Sequence, residues 1–453
     1  MKKMAIGVLG TGALVLAAAL GTSYYVGGKI QQSFEKTALD WSTEDGFSVS
    51  VLEYERGIIG SKAKTQWSFV DEEERFDITA THHITHGPWA KGQGGSMDSR
   101  FELPQDSDPD LRQALQGRAV LQMLSQMAWS GATEHSISSP EVAVNFADGS
   151  DLSWGGMQAQ LNLSAQRNAA QGWARMPALQ LKSEDGSRLE VQDTALEFSG
   201  AVVPGHSFWD GPASMKISSI KVFEPEDRAS ITLQGIALDT ATTVRGEMID
   251  NDFKIKVANM DAPGYRTSGL VMDLRLKNID ATWLDQVMIS TQGNMRDEAH
   301  RMELMRSLPV FLGRKPEIAI ERFAIRTPEG QSELSARLAY QGENSSTFDP
   351  VTDLYGVLRL SMPTDLLALL MGEKVRSDYL NLLEQLGQEM ADDALQAEVQ
   401  NGAKKRMDAL IAQGFVKTQG DMSTSELEYS QGEFKLNGKS TPLHQLLGIG
   451  GSM

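Results

Sequence analysis

The 453-residue chain has no cysteine, which excludes disulfides, thiol nucleophiles and cysteine-ligated zinc but fits an oxidising and a reducing compartment equally well. It is also short of cations: 42 Lys and Arg stand against 60 Asp and Glu, a formal net charge of -18. Such a surface repels a phosphate backbone at long range, and no Lys/Arg block occurs outside Lys404-Lys405-Arg406, so no nucleic-acid partner is expected. Low-complexity tracts and Pro/Ser-rich linkers are missing too. With 41% hydrophobic and 23% charged residues the chain has the composition of a folded protein. Its length allows two or three domains. There is no G-x-S-x-G, no G-x-x-x-x-G-K-[ST] and no H-E-x-x-H, so the common signatures of serine hydrolases, nucleotide hydrolases and zinc proteases are absent.

One uncharged run, from Met4 to Gly28, follows Lys2 and Lys3. As a helix from Met4 to Val26 it would be roughly 35 Å long, enough for a hydrocarbon core of about 30 Å. Glu35, Asp40, Glu44 and Asp45 follow it, and the positive-inside rule then keeps the N-terminus in the cytoplasm. Tyr24 and Tyr25 fall at the outer interface. A cleaved signal peptide ending at Ala17-Ala18-Ala19 is the alternative; both readings export the rest of the chain. Residues 1–28 are thus expected to be a single-pass membrane anchor. Residues 29–45 are expected to form a stalk helix with Ile30, Phe34, Ala38 and Trp41 on one face.

From Phe47 the period changes to 2. Phe47, Val49 and Val51 share one face, with Leu52 and Tyr54 on the other. Comparable alternation recurs in Ala63/Thr65/Trp67/Phe69, Val142/Val144/Phe146, Ala159/Leu161/Leu163, Leu270/Met272/Leu274/Leu276, Ile318/Ile320 and Leu334/Ala336/Leu338/Tyr340. Turns such as Asp148-Gly149, Asp185-Gly186 and Glu329-Gly330 divide neighbouring runs. The pattern predicts an α+β protein: a large, elongated, mainly antiparallel sheet with one apolar face, interrupted by helices. Asp108-Pro109 opens a helix carrying Leu111, Leu115, Val120, Leu121 and Leu124. A second helical block runs from Asp280 to about Phe311 with a break at Gly293. A third spans Pro363 to about Gln413 with breaks near Gly372 and Gly402. Two lobes follow: residues 46–276, β-rich with one helix near 108–129, and 277–453, mixed and closing in a hairpin turned at Gln431-Gly432.

The stretch DITATHHITHGPW (77–89) places His82, His83 and His86 within five positions. On a strand His82 and His86 share a face about 13 Å apart, with His83 opposite, whereas a zinc needs both nitrogens within about 2.1 Å. No metal is expected there. Asp297 and His300 at i, i+3 read as a solvated helix face, and Gly92-Gln93-Gly94-Gly95 follows a turn rather than a buried parallel strand, so no nucleotide cofactor is expected. The segment PTDLLALLM (363–371) is apolar enough to be core. It is also a candidate wall of a hydrophobic groove, through Leu366, Leu367 and Leu370.

Three stretches resemble motifs of the YdgA-like family of Gram-negative bacterial proteins. They are Tyr54-Glu55-Arg56-Gly57-Ile58-Ile59-Gly60-Ser61, then Ile84-Thr85-His86-Gly87-Pro88, and GEFKLNGK (432–439) followed by Pro442-Leu443. The resemblance implies an inner-membrane protein with a periplasmic body whose shared domain has no assigned function; it supplies no catalytic residue. The motif residues Tyr54, Arg56, Gly57, Ser61, His86, Gly87, Pro88, Asn437 and Gly438 are then structural, with Gly57 at a turn that tolerates φ > 0 and Asn437-Gly438 a type I′ pair. Three functions remain open at this point. One is a non-enzymatic envelope protein binding another envelope component or a second copy of itself. Another is a carrier of a lipid or other apolar ligand, and the least favoured is a hydrolase. An open apolar groove favours the carrier, and a filled core the first.

Overall fold

The computed structural model describes residues 47–443 except positions 58, 72–73, 87–89, 92, 105–106, 207, 226–229, 264, 293–297, 344–348, 387 and 389. The expected anchor and stalk, together with Gly87 and Pro88, lie outside the described residues. Among the described residues no helix is long and apolar enough to cross a membrane.

The chain forms two compact units. The first contains β1 (Phe47–Arg56), β2 (Gly60–Asp71), β3 (Glu74–His86), β4 (Gly95–Glu102), helix α1 (Pro109–Leu115), β5 (Leu121–Met127), β6 (Thr133–Ser139), β7 (Val142–Asn145), β8 (Asp151–Trp154), β9 (Met157–Leu163), β10 (Ala169–Lys182), β11 (Arg188–Val202) and β12 (Trp209–Phe223). Residues of β13 (Ser230–Arg245) and β14 (Met248–Ala262) contribute to both units. The second contains β15 (Tyr265–Asp280), α2 (Ala281–Gln292), α3 (Glu298–Gly313), β16 (Glu317–Thr327), β17 (Gly330–Tyr340), α4 (Pro350–Asp353), β18 (Leu354–Pro363), α5 (Thr364–Leu386), α6 (Asp392–Ala412), β19 (Lys417–Gln419), β20 (Met422–Ser430), β21 (Glu433–Leu436) and β22 (Lys439–Ser440).

In the first unit the antiparallel order is β1-β2-β3-β4-β5-β6-β9-β10-β11-β12, with the β7–β8 hairpin joined through β8 to β10. One core cluster draws on the inner face alone: Val49, Trp67, Ile78, Ala80, Met97, Phe101, Leu121, Met123, Ile137 and Leu161 are all buried. No described helix contributes to that cluster, so the curled sheet covers its own apolar face. Phe101 is its centre, fully buried and edge-on to Trp67 at 5.5 Å. Helix α1 covers a smaller cluster of Leu115, Val142 and Val144.

Several expectations are corrected. The helix opened by Asp108 stops at Leu115, because Gln116 and Gly117 both take positive φ and terminate it. Leu121 and Leu124 instead lie on β5, one fully buried and the other exposed, at the period of a strand. Gly372 and Gly402 sit inside α5 and α6, and the break falls between residues 386 and 392. Gly402 is needed there because a Cβ would come within 2.7 Å of the Val375 side chain at the helix crossing. Tyr54 lies on the core side with Val49, since the register shift between Val51 and Glu53 turns Leu52 outward. Gly57 does not carry a positive φ. Its requirement is close approach, as a Cβ would sit 2.4 Å from the Gly60 carbonyl oxygen.

In the second unit the antiparallel order is β15-β16-β17-β18-β20-β21-β22, with β19 also against β20. A compact cluster of Ile249, Ile279 and Ala281 is closed by Trp283 stacked on Phe311 at 4.0 Å. Buried Asp280 accepts from the Trp283 amide at 3.0 Å and from Arg314 Nε at 3.1 Å, so the strand-to-helix junction is capped and its charge paired.

Phe101→Ala should remove the keystone of the first core. The expected loss is about 3–5 kcal/mol of stability, read as a lower urea midpoint with an unchanged slope.

Candidate functional site

Strand β3 presents its histidines as parity requires: His82 is buried and His83 exposed. Cross-strand register sets His82 opposite Ala63 on β2 and Ser99 on β4. Its Nε2 lies 2.8 Å from Thr65 Oγ1, which also accepts from Trp67 Nε1 at 2.8 Å, and its Nδ1 lies 2.8 Å from Ser99 Oγ. His135 on β6 repeats the arrangement, with Ser125 Oγ at 2.9 Å and Thr133 Oγ1 at 3.0 Å. Each imidazole has both nitrogens engaged by hydroxyls within an otherwise apolar interior. Burial pushes the His82 pKa down to about 4, with His83 adding repulsion, and burial does the same to His135, with Arg167 adding to it.

The motif residues meet one another. Ser61 Oγ lies 3.1 Å from His86 Nε2, and the His86 amide donates to the Ile59 carbonyl at 2.8 Å, which ties the β1–β2 turn to the end of β3. Tyr54 packs against the core and Arg56 is exposed. Asn437 and Gly438 have φ of 51° and 83°, the left-handed pair of a type I′ hairpin between β21 and β22. Asn437 also accepts from the Glu426 amide at 2.9 Å and donates from Nδ2 to the Gly414 carbonyl at 2.7 Å, fastening this turn to the chain just after α6.

Of the groove candidates on α5, Leu367 is buried, Leu366 half-buried and Leu370 exposed. None of them lines the open apolar feature of the second unit. That feature lies on the sheet face, where two rows cross the strands. Leu276, Ile318, Leu338, Gly356 and Tyr429 form one row, and Leu274, Ile320, Ala336, Leu358 and Leu427 the other. Between Ile318 and Tyr429 they enclose an open trough of about 330 Å³. Ile318, Leu338 and Leu358 keep 45%, 50% and 40% of their surface exposed, so among the described residues nothing covers this apolar face and it is not a core.

The trough floor is set by Ala336 and Gly356. Gly356 lies mid-strand and is not among the positive-φ glycines. A Cβ there would meet its nearest neighbours at 3.8 Å, an ordinary contact, so neither conformation nor crowding demands glycine. The opposite face of the same strands is ionic: Glu317 pairs with Arg337 at 2.8 Å and Lys277 at 3.7 Å, Arg275 with Glu321 at 3.1 Å, and Arg359 with Glu426 at 2.7 Å. The alternation of Ile318 and Ile320 with Glu317 and Glu321 carried this two-faced character in the sequence. What it lacked was any sign that no described helix covers the apolar side.

The fold and these sites describe a class: an antiparallel sheet protein with a self-covering core in one unit and an open apolar sheet face in the other. The family described as bacterial protein of unknown function (DUF945) matches residues 1–444, and the chain belongs to that family. No curated protein and no solved structure matches it.

The histidine network generates a pH dependence with a definite sign. Each imidazole has a folded pKa near 4 against about 6.5 unfolded, so the unfolded chain binds more protons between these values. The resulting stability is full above pH 6.5 and is lost as pH falls towards 4, by roughly 3 kcal/mol per histidine. Melting temperature measured across this window should drop steeply in the wild type, and less steeply in His82→Gln.

Proposed function

We propose that this is a non-enzymatic protein of the bacterial cell envelope that holds an apolar chain, the acyl chain of a lipid, on the open sheet face of its second unit. The uncovered trough between Ile318 and Tyr429 carries this reading. Strands β15 to β18 and β20 are paired to neighbours along this face, so their ladder groups are committed to one another. A ligand there meets aliphatic side chains and finds few directional partners, which suits hydrocarbon better than a peptide that must satisfy its own amides. Placing glycine where alanine would fit keeps the floor low. The envelope setting rests on Lys2, Lys3 and the uncharged run from Met4 to Gly28, read as an inner-membrane anchor with the body in the periplasm. It also rests on the likeness of the Tyr54–Ser61, Ile84–Pro88 and 432–443 stretches to the YdgA-like family. The Ser61–His86 pair is read as a tie between strands, not as a nucleophile and its base.

The test fills the trough without touching a core. Gly356→Leu adds an apolar side chain at a position that tolerates a Cβ and raises strand propensity. Full-length protein extracted in mild detergent should carry bound lipid in native mass spectrometry, and Gly356→Leu should reduce the lipid-bound fraction about tenfold while melting at or above the wild-type temperature. Equal lipid occupancy in the two proteins would sink the reading.

A further inference from the structure

The first unit is electrically polarised along its strands. Because its strands alternate in direction, the turns β1–β2, β3–β4, β5–β6 and β9–β10 all lie at one end, as the closing pairs Arg56↔Ser61, His86↔Gly95, Met127↔Thr133 and Ala170↔Leu163 show. The described residues of these turns, Gly57 and Ile59, Ala90-Lys91 and Gln93-Gly94, AWSGA (128–132) and SAQRN (164–168), include no Asp or Glu. The described residues of the connections at the other end include Asp71 and Glu74, SDPD (107–110), ADGS (147–150), SEDGS (183–187) and Glu224. In a chain of net charge -18, acid is absent from the described residues of these four turns.

What occupies the acid-free end is equally specific. Ile59 is 55% exposed and Trp129 65% exposed, large apolar groups at the tips of turns. Arg56 and Lys91 are exposed beside them, and Arg167 stands half-buried in the last of these turns. The turns abut: the Gly94 amide donates to the Met127 carbonyl at 2.8 Å, the Gln93 side chain donates to Gln126 at 3.1 Å, and Gly131 packs beside Ala165. The acids nearest these turns are on the strands: Glu55 opposite Lys62, Glu134 bonded to the Gln160 amide at 2.8 Å, and Asp210 on β12 opposite Ala201.

We propose that this end of the first unit docks on an anionic lipid bilayer surface, with Ile59 and Trp129 entering the interface and Arg56, Lys91 and Arg167 facing the lipid headgroups. Tryptophan and aliphatic side chains at loop tips, ringed by cations and free of acid, match the two halves of an anionic interface. A protein partner would have to bring its own acidic rim, whereas an anionic leaflet supplies negative charge over its whole surface. The acidic opposite end is repelled from the same surface, so the polarity also orients the unit. This site is separate from the trough and does not depend on its ligand.

The experiment uses the full chain held in phosphatidylcholine nanodiscs, so that its N-terminal segment is already housed, and mixes these with sedimentable vesicles. Vesicles rich in phosphatidylglycerol should carry the protein down, phosphatidylcholine vesicles should not, and added salt should weaken the binding. Ile59→Ser with Trp129→Ala should lower the apparent affinity about tenfold or more, Lys91→Gln should lower it less, and Asp185→Asn at the far end should leave it unchanged. Ile59 and Trp129 are exposed, so melting temperatures should stay at the wild-type value, and Gly356→Leu should dock normally even if it loses lipid. Binding that ignores headgroup charge, or that survives the double substitution, would overturn the proposal. So would failure to bind vesicles while the same residues are needed to retain an envelope protein.

Discussion

Everything in this molecule depends on the backbone ladder between long antiparallel strands. Once the amides and carbonyls of neighbouring strands are committed to one another, side chains can only go to one face or the other, and each residue's environment follows from its parity. In the first unit the sheet curls until its apolar face is closed around Phe101. In the second the same alternation yields an ionic face around Glu317 and Arg337 and an apolar face that stays open. The difference between a closed core and an open apolar face thus lies in whether the face is covered, not in composition.

The interior of the first unit also holds polar groups, and the ladder explains how. His82 and His135 sit at apolar-face positions, where an unpaired imidazole would be costly. Register brings hydroxyls from the residue's own or adjacent strands to both nitrogens of each ring, so the network is satisfied within the sheet and fixes which residues may lie opposite one another. A slip of register would strand both rings, which makes the pairing specific as well as stable.

Strand alternation was legible in the sequence because period 2 is a local property: the runs at Ala63 to Phe69 and Leu334 to Tyr340 lie on β2 and β17 as read. The opposite orientations of His82 and His83, and the left-handed Asn437-Gly438 turn, were legible for the same reason. Helix ends were less so. Leu121 and Leu124 extend a helical spacing on paper, but two successive positive-φ residues at Gln116 and Gly117 end the helix first. The apolar surface could be anticipated but not located: Leu366, Leu367 and Leu370 drew attention as a dense apolar run, while the trough is assembled from single residues on β16, β17, β18 and β20 that only register brings together. Ser61 and His86, which belong to two separate motifs, are bonded to each other, a pairing that only the β2–β3 register brings about.

The strand order has a consequence for how such a chain reaches its structure. From β1 to β6 every strand pairs with the one made just before it, and the same holds from β9 to β12 and from β15 to β18. A chain emerging N-terminus first can therefore add strands one at a time to a growing edge, closing short loops instead of long ones. Longer closures remain: β9 must return to β6 across the β7–β8 hairpin, and β20, besides pairing with β19 just before it, finds β18 only after the helical pair α5 and α6 has intervened. Until β20 arrives, the edge of β18 has no partner from this pairing, and Asn437 is the residue whose side chain then locks the late-arriving segment to the turn that follows α6. The segment from Met422 to Ser440 thus acts as a closing latch: the second unit is completed only after α5 and α6 have been made.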